Sequence, residues 1–177
     1  MPAHSQAAVE AHHVVKLALM TVRLLDDIEQ IRGTGHAIEE IIAARVRDDA
    51  VREPVSLLHQ ATFLQFGYIS LVWLRESVRA HLSREAQEAA EDSFKRRLST
   101  VPIPKGNGPR TIDSWSAVVR LVRNAISHAR VETDEQHFTF TDHDKRNEHG
   151  PTSITMTWGL LGQMSEAYLW AVQDVLF

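Results

Sequence analysis

Residues 137–158, HFTFTDHDKRNEHGPTSITMTW, carry the only strand signal in a chain otherwise patterned for helices. His137-Phe-Thr-Phe-Thr141 and Thr152-Ser-Ile-Thr-Met-Thr-Trp158 alternate in side-chain character and are rich in β-branched and aromatic residues, with a polar segment between them. The pattern predicts a short hairpin inserted before a final helix. Treated as an insertion, it leaves the expected fold class all-α: a helical bundle of about five to six helices with a small β-hairpin ahead of the last one.

Outward from the hairpin, every other periodic stretch reads as helix. Residues 163–176 form a strongly apolar last helix, and residues 113–129 form an amphipathic one with Asp113 as its cap. Before that, STVPIPKGNGPR at 99–110 packs three prolines and two glycines into twelve positions, which predicts a loop. Ser83 is placed to cap a polar, alanine-rich helix ending near Leu98. Further back, helices are expected over residues 55–81, 37–52 and 14–31, the one at 14–31 stopping at Gly33-Thr34-Gly35 and the one at 37–52 ending before Pro54. Residues 54–74 carry no formal charge, but His59, Gln60, Gln65, Gly67, Tyr68 and Ser70 interrupt the run, so it reads as a buried central helix and not as a membrane span. Trp73, Trp115, Trp158 and Trp170 likewise read as core residues.

The 177 residues, 44% hydrophobic and 24% charged, make residues 1–177 one globular domain with no internal repeat or linker. The absence of cysteine excludes disulfides, thiolate catalysis, iron–sulfur clusters and cysteine-ligated zinc. The start, MPAHSQAAVEAHH, has no basic segment followed by an unbroken apolar run, so a cytoplasmic protein without a membrane partner is expected. His143 and His149, with Asp142, Asp144 and Glu148, match no established ligand spacing, and neither a metal nor any other cofactor is expected. No P-loop, Gly-x-Ser-x-Gly elbow or His-Glu-x-x-His helix is present.

Charge is uneven along the chain. The net charge is −4, yet residues 95–130 hold Lys95, Arg96, Arg97, Lys105, Arg110, Arg120, Arg123 and Arg130 against the single acid Asp113. A basic segment within an acidic chain is the electrostatic footprint expected where a phosphate backbone docks. The competing reading is that these cations are solvated or paired with acids elsewhere in the fold.

The helix at 113–130 reads DSWSAVVRLVRNAISHAR. With Val118 at zero, Arg123, Ser127, Arg120, Asn124 and His128 lie at about 140°, 180°, 200°, 240° and 280°, one continuous polar arc opposite the apolar side chains. Asn124 and His128 are four apart and neighbours on the helix surface, a spacing that lets the amide orient the imidazole. Such residues suit cleavage of RNA through its own 2′-hydroxyl, with histidine moving protons and arginine holding the phosphorane as charge builds. One histidine cannot be base and acid at once, so two-fold pairing of the helix is needed to complete a site.

Arg123-Asn124-Ala-Ile-Ser-His128, set in an apolar helix, resembles the motif of the HEPN superfamily. The resemblance implies a dimerising helical bundle acting as a metal-independent endoribonuclease in toxin–antitoxin, antiviral or CRISPR-linked defence. It places Arg123 and His128 as the catalytic pair, with Asn124 at the polar position after the arginine. Arg120, Ser127, Lys105, Arg110 and Arg130 would bind RNA, the partners being RNA, a second copy of the chain, and an antitoxin or nucleotidyltransferase-like protein. The alternative is a non-catalytic module of the same type that binds RNA or a protein partner. A blander one takes His128 as a helix-terminal imidazole beside the C-terminal dipole and Arg123 as a solvated side chain.

Overall fold

Helices and a sheet share one core. The computed structural model describes residues 8–9, 25–26, 28–30, 60–143 and 150–177. Of the expected helix at 14–31, the described residues Leu25, Asp26 and 28–30 are helical, and the expected helix at 37–52 lies outside the described residues. Helix α1 (Gln60–Gly67) runs through a π-helical segment (Tyr68–Leu74) into α2 (Arg75–His81), so the helix expected to end at His81 does end there. Helix α3 spans Arg84–Arg97 and is capped by the Ser83 hydroxyl, which accepts from the Ala86 amide at 3.2 Å. Its last turn carries Lys95, Arg96 and Arg97, where cations complement the helix dipole.

The remaining elements are β1 (Gly106–Asn107), α4 (Trp115–Ser127), β2 (Val131–Thr133), β3 (His137–Asp142), β4 (Thr152–Thr157) and α5 (Trp158–Leu176). The four strands form one antiparallel sheet in the order β1-β4-β3-β2. This overturns the all-α expectation: the fold is mixed α/β. The hairpin is present, but as the centre of a sheet and not as an ornament on a bundle. Alone, its two outer edges would expose unpaired backbone groups, and an isolated two-stranded hairpin is marginal in water. Val131–Thr133 pairs along one edge and Gly106–Asn107 along the other, from a stretch with too many prolines and glycines to read as strand.

Side chains on the sheet alternate with the pleat. Phe138, Phe140 and Asp142 on β3, and Thr152, Ile154 and Met156 on β4, face inward and are buried. Thr139 and Thr155 hydrogen-bond to each other through their hydroxyls at 2.9 Å on the other face. The apolar side of α4, with Val118, Val119, Val122 and Ala125 fully buried, packs on β3. Helix α5 packs against both α3 and α1. Asp174 near the end of α5 accepts from Ser93 at 2.6 Å and pairs with Arg97 at 2.7 Å, contacts that hold its carboxyl below the usual range.

The apolar segment at 68–74 does not bury all of its side chains. Ser70, Leu71 and Leu74 are buried, whereas Tyr68 and Trp73 are among the most exposed large apolar residues described. A helix can turn only one side to a core, and a run of apolar residues all round it must leave some outside. Trp73 therefore corrects the expectation of a core tryptophan, whereas Trp115 meets it, its indole N–H donating to the Leu98 carbonyl at 3.2 Å. No helix among the described residues is long and apolar enough to cross a membrane.

Candidate nucleic-acid interface

Helix α4 carries the expected site residues, and its two ends are fixed by different means. At its start the cap is Ser114, not Asp113: the Ser114 hydroxyl accepts from the Ala117 amide at 3.3 Å. At its end the helix stops at Ser127, with His128 as the C-cap, short of the expected run to Ala129. The Arg130 amide donates to the Ala125 carbonyl at 2.8 Å and the Ala129 amide to Ile126 at 3.1 Å, the paired bonds of a Schellman ending. Ala129 takes the left-handed conformation this ending requires, with φ of 52°, a place usually filled by glycine.

The polar arc is where the helical spacing put it. Arg120, Ser127 and His128 are exposed, while Arg123 and Asn124 are half-buried. Among the described residues no side-chain partner engages the His128 ring. Arg123 is engaged: its Nη1 lies 2.8 Å from Oε1 of Glu76 on α2, a carboxylate that is 53% exposed. Asn124 does not orient His128 as expected, because its amide donates to Asp142 Oδ2 at 3.1 Å.

Asp142, weighed in the sequence only as a metal ligand, belongs instead to this site. It sits at the inward-facing end of β3, its side chain only 4% exposed, and the Arg110 Nη2 approaches the same Oδ2 at 2.8 Å. The guanidinium N–H is misaligned for a hydrogen bond there, so the contact is an ion pair. Arg110 thus meets Asn124 through a shared carboxylate. The loop that delivers Arg110 is tied to β4 by its amide, which donates to the Thr152 hydroxyl at 3.2 Å. Gly108 in that loop has φ of +132°, and a side chain there would place Cβ 2.5 Å from the Pro151 carbonyl oxygen. The signal for Asp142 was legible: in HFTFTD it shares the period-two face of Phe138 and Phe140, and a carboxylate on a buried face needs a cation.

Arg110 and Arg120 also line one cleft of about 350 Å³, together with Thr111, Ile112, Ser116 and Ala117. The Ser116 hydroxyl in that lining donates to Glu91 at 2.6 Å. Lys105 is exposed ahead of β1 and does not line the cleft. Arg130, between the end of α4 and the start of β2, is half-buried, its carbonyl accepting from the Thr141 amide at 3.0 Å. Ser127 closes the helix with an exposed side chain.

Half of the basic segment is answered by acids from elsewhere in the chain or the same helix. Lys95 pairs with Asp92, Arg97 with Asp174, Arg110 with Asp142 and Arg123 with Glu76. Among the described residues no acid pairs with Arg96, Lys105, Arg120 or Arg130. No group of acids and histidines suited to a metal ion occurs among the described residues. Compared with known proteins, the chain matches no family model, no curated protein and no solved structure.

Proposed function

We propose that the chain is a metal-independent endoribonuclease of the HEPN type, with His128 and Arg123 of two paired copies around one scissile linkage. The observation that carries this reading is His128 itself: an unengaged, exposed imidazole at the end of α4, on the polar arc that also presents Arg120 and Arg123. A nuclease histidine must be reachable by the 2′-hydroxyl, and a sealed one is useless for that task. In the reaction the 2′-oxygen loses its proton to one imidazole and attacks the adjacent phosphorus. The bond from phosphorus to the 5′-oxygen breaks, and the leaving oxygen takes a proton from the partner's imidazolium. The products are a 2′,3′-cyclic phosphate and a 5′-hydroxyl, with no atom unaccounted for.

Arg123 serves by exchanging its carboxylate partner for the phosphate. Its ion pair with Glu76 is half in solvent, and exposed pairs contribute about 0–1 kcal/mol, little enough for a phosphodiester to displace. Asn124 acts at one remove, holding α4 against β3 through Asp142. A second reading, a non-catalytic module that binds RNA through the same arc, is favoured by one observation: Arg123 and Asn124 are both already held by carboxylates.

The two readings part in one experiment. Parent and His128→Ala proteins are incubated with total RNA, with and without EDTA, and the fragment ends are mapped. The nuclease reading expects cleavage by the parent in both conditions, cyclic-phosphate ends, and loss of at least about a hundredfold in rate for His128→Ala. RNA that is shifted in a gel but never shortened establishes the binding module instead. Activity that disappears in EDTA, or survives in His128→Ala, overturns the proposed mechanism.

A further inference from the structure

The cleft beside Arg110 and Arg120 lies toward the other end of α4 from His128, and nothing in the cleavage chemistry uses it. Arg110 and Arg120 both line it, with Thr111, Ile112, Ser116 and Ala117 completing the wall. Two planar cations in one concavity of about 350 Å³ suit a phosphate ester, because each guanidinium presents a fork of N–H donors to phosphate oxygens. The two are not equivalent. Arg110 is paired with Asp142, its buried Nη2 2.8 Å from the carboxylate, so its place is fixed before any ligand arrives. Arg120 is exposed and unpaired among the described residues, and brings the charge that Asp142 takes away from Arg110.

We infer that this cleft is a phosphate subsite for a nucleotide strand, seating a backbone phosphate at a distance from the linkage opposite His128. This deepens the nuclease reading and rests on it only for the identity of the strand. From Arg120 to His128 is eight residues of helix, about 12 Å at about 1.5 Å per residue. A stacked strand carries one phosphate per about 3.4 Å of its axis, so a strand lying along α4 reaches the cleft about three to four nucleotides from the cut. Short fragments therefore leave the cleft empty and bind weakly, and a longer strand gains a contact remote from the catalytic pair.

The test measures binding alone, so that it survives a failure of the nuclease reading. A 2′-O-methyl hexaribonucleotide and the matching dinucleotide, neither able to cyclise, are titrated into His128→Ala protein over a series of salt concentrations. Adding Arg120→Ala is expected to weaken the hexamer about tenfold and to lower its salt slope by about one, while leaving the dinucleotide unchanged. Arg120→Lys restores part of the loss, since it returns the charge without the fork. Arg84→Ala, which removes an exposed cation on α3 outside the cleft, controls for net charge. Adenosine monophosphate is the competing probe. If it displaces the hexamer only from protein retaining Arg120, the cleft also takes a free nucleotide phosphate; if it does not compete, the phosphate comes from the strand. Equal effects of Arg120→Ala and Arg84→Ala, or a hexamer indifferent to Arg120, overturn the inference.

Discussion

Two arginines of the same basic stretch are held by carboxylates in opposite surroundings. Arg110 meets Asp142, whose side chain is 4% exposed and also receives the Asn124 amide. Arg123 meets Glu76 across a contact of the same length, 2.8 Å, with the carboxylate half in water. Distance alone would rank them equal. Solvent separates them, because a buried charge left alone keeps its desolvation cost while an exposed one is simply rehydrated. The first contact is therefore a fixture of the fold that sets where Arg110 and α4 stand. The second is a placeholder that a phosphate can replace.

Replacing Asp142 with alanine should break the comparison most visibly. It leaves Arg110 partly buried without its counter-ion and Asn124 without its acceptor, and removing one partner of a buried pair costs about 3 kcal/mol. Urea unfolding of Asp142→Ala should show that loss with an unchanged m-value; a loss below about 1 kcal/mol would put the two pairs in the same class. The next effect is smaller and of opposite sign. Ala129 holds a left-handed conformation that costs a residue with a Cβ about 1–2 kcal/mol, and glycine escapes it at an expense of about 0.4–1 kcal/mol in unfolded-chain entropy. Ala129→Gly should gain about 0.5–1 kcal/mol in the same measurement. A loss there would mean that the end of α4, and with it the setting of His128, depends on more than the Schellman bonds.

The two halves of the molecule differed in how far they could be read. Helix spacing was legible because it repeats: α3 with its Ser83 cap, and the polar arc of α4, stand where periodicity put them. The hairpin was legible too, since six-residue strands alternate long enough to show a period. Its flanking strands were not. Val131–Thr133 is three residues and Gly106–Asn107 two, and their pairing depends on the free edges of β3 and β4, which no local pattern records. The same limit hid the partners of the site. That Arg123 and His128 share a helix surface follows from their spacing, but that Glu76 and Asp142 stand opposite Arg123 and Asn124 is a matter of how α2 and β3 are placed against α4.

The smallest change in stability is expected at Glu76, and there the comparison becomes a statement about function. Glu76→Gln removes the carboxylate but keeps the shape of the side chain, so unfolding should shift by less than about 0.5 kcal/mol. If the pair is a placeholder, Arg123 is then free to meet phosphate without first giving up a partner. Binding of a 2′-O-methyl hexaribonucleotide to the Glu76→Gln, His128→Ala protein should tighten a few-fold over His128→Ala alone, with a salt slope steeper by up to about one. Glu88→Gln on α3 changes the net charge equally and frees only Arg84, so it separates local release from a general loss of repulsion. A hexamer that responds alike to both substitutions would show that Arg123 does not contact the strand. A marked loss of stability in Glu76→Gln would show instead that the exposed pair fixes α2 to α4 as Asp142 fixes Arg110.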